Sequence, residues 1–480
     1  MPKKPEQKNN PQKDNMDIPA KIFKSYDIRG IYPNEINKEI VVPVTKAIYK
    51  FLLNKTPKDP LSVVVGRDMR LSSPAIFEAL TTTLVNLGAQ VIDIGLVSTP
   101  TFYFAVFNGK YDSGIQITAS HNPKEYNGLK IVRYSPQGLI KIGKGTGMEE
   151  IKNIVLEGMK IDGKPGGTII KKEGVIIEEV KNALKIAGHP TIKPLKIVAD
   201  TANAMAALYI EELFKHIPGE LIKMNFELDG TFPAHPADPL EPENVADLQK
   251  RVIEEKADLG IATDGDGDRL FFINEKGETV PASHITALIA RDLLKKHKGE
   301  KVIADIRYIL TPKKIVEELG GTFVITKVGH AFITKKLHET GAIFAGESSA
   351  HYFFRETGNA ESQLPIILIV LKTLSEEEKT LSQVIAEIKR SHESGETNFR
   401  VKNTPEVINA VKQEFSDGEI SELDGVAITY DDWRLSLRSS NTEPLLRLNI
   451  EAEVDGIVKE KKQKVIELIK KHAVFEDLPN

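Results

Sequence analysis

The chain is predicted to be an α/β protein built from related units and closed by a smaller domain of α+β type. Three observations predict this. First, three compact β-branched runs each feed a helix: LSVVVGRD (61–68) before a helix from Ser73 to Leu87, PLKIVADTAN (194–203) before AMAALYIEELFKHI, and EKVIADIRYIL (300–310) before TPKKIVEELGG. That order, with Gly-containing turns, reads as α/β units with largely parallel sheets. Second, the latter two runs share a K-(I/V)-(V/I)-A-D cadence at a spacing too long for a solenoid of small repeats. Third, the last segment changes character. A helix around 405–415 precedes the strand-like runs GVAITYDD, WRLSLRSS and LLRLNIEAE and the amphipathic helix VKEKKQKVIELIKKHA. Short turns between these runs favour antiparallel pairing.

The length of 480 residues suggests about three domains, within a range of two to four. The rhythm places boundaries near 165, 265 and 385, giving units 16–165, 166–265, 266–385 and 386–480. Lys and Arg number 64 against 68 acidic residues, so no basic footprint for nucleic acid or an anionic membrane is expected. No apolar run reaches the roughly 18 residues a bilayer span needs; LPIILIVLKTL from Leu364 comes nearest. The opening MPKKPEQKNNPQKDN lacks the apolar core of a secretory signal and reads as a disordered tail. Cysteine is absent, which excludes disulfides, thiolate metal sites and thiol catalysis. A cytoplasmic enzyme is the expectation.

The sharpest chemical signal is LGIATDGDGDRLFFI (259–273), where Asp264, Asp266 and Asp268 alternate with glycines beyond a hydrophobic run. Carboxylates this close repel one another unless a cation compensates. Oxygen-only ligation favours a hard ion, Mg²⁺ before Ca²⁺ or Mn²⁺. An EF-hand fits poorly: Glu275 stands at loop position 12 counted from Asp264, but position 6 is Arg269 rather than glycine. A nucleophilic-aspartate phosphatase would want Thr or Val where Asp268 stands.

RSSNTEP (438–444) combines the planar donor fork of Arg438 with Ser440, Asn441 and Thr442, a set suited to a phosphate dianion, although an ordinary turn has the same composition. Further polar clusters follow strand-like runs, where α/β proteins place functional loops. KSYDIRG (24–30) offers Arg29, and GRD (66–68) offers Arg67, equally readable as a structural ion pair. KVGH (327–330) and GESSAH (346–351) supply His330, His351, Glu347 and Ser349, able to move a proton or grip sugar hydroxyls.

GIQITASHNPKEYNGLK (114–130) begins like a strand and ends in a polar knot around Ser120. Without a G-x-S-x-G elbow an acyl-transfer hydrolase is disfavoured. A serine on a polar loop can instead carry a phosphoryl group whose charge a metal ion neutralises. The residues alone leave open a metal-dependent phosphoryl-transfer enzyme or a metal-stabilised sugar-phosphate-binding protein.

Seven motifs in order resemble the α-D-phosphohexomutase family, specifically its phosphomannomutase/phosphoglucomutase branch. They are YDIRG (26–30), TASHNP (118–123) with NGLK (127–130), DGTFPAHPADPLEPEN (229–244), DGDGDR (264–269), VGH (328–330), GESSAH (346–351) and RSSNTEP (438–444). The resemblance implies a heart-shaped, four-domain molecule of three related α/β domains and a C-terminal TBP-like α+β domain around a cleft. It implies that Ser120 is the catalytic phosphoserine, completing an Mg²⁺ site of Asp264, Asp266 and Asp268. Arg269 would hold the phosphoserine region; Arg29, Lys130 and His121 would surround the transferring phosphate. Glu347 and Ser349 would bind hexose hydroxyls, while Arg307, His330 and His351 would contact sugar or assist proton transfer. Arg438, Ser440, Asn441 and Thr442 would hold the non-reacting phosphate.

The implied reaction interconverts hexose 1- and 6-phosphates of mannose or glucose through a hexose 1,6-bisphosphate, which also serves as activator, in a monomer or weak homodimer. A phosphoglucosamine mutase shares the same serine and metal logic. One departure stands out: the sugar loop often reads GE-x-SGH, and Ala350 replaces its second glycine. If that position needs positive φ, the alanine costs about 1 kcal/mol.

Overall fold

The structure, a computed structural model, describes residues 18–56, 58–158, 163–164, 166–440 and 445–475. The N-terminal stretch read as a disordered tail, together with Asn441 and Thr442, lies outside them.

The run SVVVGR forms the strand Ser62–Arg67, buried along almost its whole length because its β-branched residues face packed layers on both sides. The helix Ser73–Asn86 follows, with Pro74 in its first turn, where a missing N–H costs nothing. The same step recurs at strand Leu195–Asp200 with helix Ala206–Leu213, and at strand Lys301–Asp305 with helix Leu310–Glu318.

Each of the three sheets has one plan. In the second, Leu195–Asp200 lies between Gly219–Met224 and Leu259–Thr263, all parallel; Leu270–Asn274 and Thr279–Val280 then add antiparallel. In the third, Lys301–Asp305 lies between Thr322–Thr326 and Phe344–Gly346, followed by antiparallel Tyr352–Phe354 and Ala360–Glu361. In the first, Ser62–Arg67 lies between Gln90–Leu96 and Ser113–Ile117, then come antiparallel Tyr126–Ser135 and Ile28–Ile31. The sheets are therefore mixed rather than largely parallel. The returning strands, such as LFFIN, are buried on both faces, so alternation does not betray their direction.

Elements of the fold run across or close to each expected boundary. Thr168–Lys171 pairs with Gln90–Leu96, so the first sheet continues past 165. The hairpin strand Leu270–Asn274 keeps the second sheet going to Val280, past 265. Residue 385 falls inside the helix Leu381–Ile388. The second and third units share one continuous core, built around the helix Leu364–Glu377. That helix is apolar on all sides because it is buried between the units, as a core helix must be. No helix among the described residues is long and apolar enough to cross a membrane.

The last unit is α+β. Val426–Thr429, Trp433–Ser439 and Leu446–Ala452 pair antiparallel, and the helices Thr404–Glu414 and Asp455–His472 share a separate core with them. Arg434 and Glu451 fasten it to the third unit: Arg434 Nη1 donates to the carbonyls of Ile306 (2.8 Å) and Arg307 (3.1 Å), and Glu451 accepts the N–H groups of Ile309 and Leu310.

Candidate active site

The shared plan gives each α/β unit an equivalent loop, between its third parallel strand and the strand that returns antiparallel. These loops are 118–125, 264–269 and 347–351. Ser120, the acidic triplet and Glu347 thus come from the same place in three related sheets, and the fold brings them together.

In the first loop, Ser120 adopts φ 51, a left-handed conformation uncommon for serine. Its N–H donates to Thr118 Oγ1 (3.0 Å). Its Oγ donates to Asp264 Oδ2 at 3.0 Å, crossing from the first unit to the second, and lies 3.2 Å from His121 Nδ1. Only glycine permits this approach at residue 265: a Cβ there would stand 2.4 Å from the Ser120 carbonyl oxygen. Arg29 reaches the loop through Asn122 Oδ1 and pairs with Asp27. Lys130 stands opposite Gln116 on the return strand, which aims its ammonium at the triplet.

Asp264, Asp266 and Asp268 are buried, and one carboxylate oxygen from each lies within 4.8 Å of the others. Lys130 Nζ donates to Asp266 Oδ2 (2.6 Å) and Asp268 Oδ2 (2.7 Å). Burial works against the ammonium, but these two carboxylates outweigh it and hold Lys130 well above its ordinary range. Burial, then repulsion from Asp268 and Asp266, pushes the Asp264 carboxyl well up. Thr99 fixes Asp266 from behind, its Oγ1 donating to Oδ2 (2.5 Å) and its N–H to the Asp266 carbonyl (2.8 Å). Gln363 donates to the Asp268 carbonyl. The other Asp266 oxygen, Oδ1, is buried without a protein partner. Three buried carboxylates converging on one point, with an Asp266 oxygen left over, fit a hard divalent cation.

Arg269 Nη1 binds Asp238 Oδ1 at 2.9 Å. Burial, then Arg269 and Arg29, keeps His121 well below the usual imidazole range, so it is neutral at pH 7.

The third loop joins the triplet through His351, whose Nε2 lies 3.1 Å from Asp268 Oδ1 while Nδ1 lies 3.0 Å from Ser349 Oγ and 3.1 Å from Glu347 Oε2. Burial opposes its charge, yet Asp268 and Glu347 raise His351 to about 10. Arg307 is anchored by Asp305 (Nε–Oδ1, 2.9 Å; Nη2–Oδ2, 3.1 Å) and reaches Glu347 and Ser349 at 3.4 Å each. Glu347 Oε1 also accepts the Gly329 N–H at 3.0 Å. His330 opens the helix His330–Thr340, with its ring 4.9 Å from that of Tyr26. Burial, then Lys141 and Lys130, holds it well below 6.5, and its Nδ1 has no protein partner. Ala350 sits at φ 64, so the departure noted in the sequence does occupy a left-handed position.

Arg438, on Trp433–Ser439, is buried beside Glu396 (3.2 Å); burial, then the charge of Arg307, pushes its guanidinium down. Ser440 follows with its N–H bonded to the Leu445 carbonyl (2.7 Å). Arg67 places its guanidinium 4.5 Å over the Phe77 ring and 3.7 Å from Asp93. Thr99, Asp238 and Gln363 escaped the sequence reading. Asp238 lies inside the DGTFPAHPADPLEPEN motif, which marked its stretch; Thr99 and Gln363 are singled out only by the packing of distant segments.

Four family descriptions match the chain in order: phosphoglucomutase/phosphomannomutase alpha/beta/alpha domain I over residues 20–162, domain II over 177–277, domain III over 281–391, and the C-terminal domain over 396–468. The phosphomannomutase of Vibrio cholerae is 38% identical over 94% of this chain and 98% of its own length. That of Methanocaldococcus jannaschii is 37% identical, with the same two coverages. The crystal structure of a phosphoglucomutase/phosphomannomutase family protein from Burkholderia thailandensis superposes with a TM-score of 0.82 at 30% identity, covering 95% of this chain and 99% of that one. The fold and the converging loops thus define an enzyme of the phosphohexomutase class. This chain belongs to the phosphoglucomutase/phosphomannomutase family.

Proposed function

We propose that this enzyme interconverts the 1- and 6-phosphates of mannose and glucose, with Ser120 as phosphoryl carrier and a hexose 1,6-bisphosphate as intermediate and activator. The observation that carries the proposal is the hydrogen bond from Ser120 Oγ to Asp264 Oδ2, which sets a serine against three buried carboxylates and a lysine. Asp264, Asp266 and Asp268 would hold Mg²⁺, which, when bound, supplies positive charge against the oxygens of the transferring phosphoryl group.

Phosphorylated Ser120 gives its phosphoryl group to the free hydroxyl of the sugar phosphate: the hydroxyl oxygen bonds to phosphorus as the bond to Ser120 Oγ breaks. After the bisphosphate turns over, the other phosphate returns to Ser120. Lys130 and Arg29 stand beside the position where charge develops, and Arg269 steadies the triplet loop. His330 is the better placed proton acceptor, because its Nδ1 is unpartnered while both nitrogens of His351 are engaged. Glu347, Ser349 and Arg307 form a bonded set for sugar hydroxyls, and Arg438 with Ser440, Asn441 and Thr442 would hold the non-reacting phosphate.

A panel of mannose, glucose and glucosamine phosphates, with Mg²⁺ and a trace of 1,6-bisphosphate, tests the reading against Ser120→Ala. Turnover is expected on the first two sugars, with at least about 10³-fold loss in the variant. Turnover on none of the three contradicts the mutase reading, and an active Ser120→Ala contradicts the carrier.

A further inference from the structure

Beneath the serine loop lies Arg70, 1% exposed, outside every motif used above. Its setting repeats that of Arg307. Both follow an aspartate by two residues at the end of equivalent strands, in Asp68-Met69-Arg70 and Asp305-Ile306-Arg307. In both, the carboxylate accepts the arginine's backbone N–H (3.1 and 2.9 Å) and its Nε–H (3.1 and 2.9 Å). There the likeness stops.

Arg307 points at the side chains of the sugar loop, whereas Arg70 points at backbone. Its Nη1 donates to the carbonyls of Pro123 (2.7 Å) and Tyr126 (3.0 Å), and its Nη2 to those of Ser120 (2.8 Å) and Asn122 (2.6 Å). With Nε on Asp68, all five guanidinium hydrogens are committed, four of them to the turn that carries Ser120. Lysine offers three donors and no plane, so it cannot reproduce the set. A serine in the left-handed region costs about 1–2 kcal/mol and persists only where its surroundings over-determine it. Arg70 is that surrounding. It also ties the turn to the second unit: the Phe232 ring covers the guanidinium at 5.1 Å, and a Cβ on Gly230 would stand 2.8 Å from Arg70 Cα. The second unit is the one that carries the acidic triplet.

We propose that Arg70 is a positioning residue for phosphoryl transfer: it fixes the Ser120 turn against the second unit, so that Oγ meets the triplet across the joint between them. The inference rests on Ser120 being the carrier. Because Arg70 has no hydrogen bond or ion pair to Arg307, Glu347 or Ser349, its loss is expected to slow transfer to and from Ser120 while leaving the hold on sugar intact.

The test is Arg70→Lys, alongside Asp68→Asn and Ser120→Ala. In folded Arg70→Lys, kcat is expected to fall about 10- to 100-fold, the scale of a small misplacement, with KM for hexose 1-phosphate within about two-fold. Loading of Ser120 by glucose 1,6-bisphosphate, followed by intact mass, should slow by the same factor. Wild-type kcat and loading, or a loss confined to KM, overturns the proposal. If Arg70→Lys does not fold, Asp68→Asn decides: it keeps the arginine but removes the charge that aims it. At least about three-fold loss of kcat and loading at unchanged KM supports the proposal, and no loss overturns it. An inactive Ser120→Ala beside a normal Arg70→Lys sinks this inference alone. A fully active Ser120→Ala sinks the carrier reading and this inference with it.

Discussion

The loops 264–269 and 347–351 hold the same position in two related sheets, yet they treat charge in opposite ways. In 347–351 each charge finds a partner within the third unit or one bond away: Glu347 meets Arg307, His351 and the Gly329 N–H, and Arg307 rests on Asp305. In 264–269 three carboxylates share Lys130, with His351 reaching only Asp268, while Asp264 is pushed up and an Asp266 oxygen has no protein partner. Loop 347–351 is complete as protein and, on the proposed function, would suit neutral hydroxyls, which need fixed donors and acceptors. Loop 264–269 leaves charge that a cation could balance, which on the proposed function would suit the travelling phosphoryl group. One topology serves both because the strands supply position and the loop residues supply chemistry.

The largest way to break the comparison is Asp266→Asn. Turnover should fall about 10³-fold, and the rise of melting temperature expected of the wild type in Mg²⁺ should vanish. An unchanged response to Mg²⁺ would place the cation elsewhere. Glu347→Gln strikes the self-paired loop instead: kcat/KM should fall about 10- to 100-fold, while the Mg²⁺ response and the loading of Ser120 stay near normal. Loss of the Mg²⁺ response there would mean that the loops are not separable.

Behind the acidic loop, Glu179 is buried with Thr101 Oγ1 as its donor, and burial raises its carboxyl from 4.5 to about 7. The folded protein therefore keeps a proton between pH 4.5 and about 7 that the unfolded chain has lost, so stability falls as pH rises through that window. The cost is full above about 7 and of order 3 kcal/mol. Glu179→Gln should match the wild type near pH 5 and exceed it at pH 8, as read by denaturant melts; equal stability at both values would refute this. The smallest effect belongs to the sugar loop. Ala350→Gly should stabilise by about 1 kcal/mol by relieving φ 64. A loss of stability would show that the Ala350 methyl packing outweighs the strain.

What was legible in the sequence was local. The β-branched runs, the DGDGD spacing and the Ser120 knot are contiguous, and contiguity is what a sequence displays. The helix Leu364–Glu377 looked only like a short apolar run, because burial on all sides erases periodicity. The run of the second sheet past 265 was hidden for a related reason. LFFIN, buried on both faces, gives no sign that it turns back onto the strand before it. Arg70, Thr99 and Gln363 act on loops far away in the chain, so their roles come into view only with packing. For Ala350 the sequence could state the cost of a left-handed backbone but not whether the loop adopts one.

The central claim, that Ser120 and the acidic loop form one phosphoryl-transfer centre, is tested most directly by loading the enzyme with phosphate-labelled glucose 1,6-bisphosphate in Mg²⁺. The label should appear on Ser120 alone, pass to added hexose 6-phosphate, and be absent in Asp266→Asn. Label on another residue, or multiple turnover with Ser120 never labelled, would contradict the account.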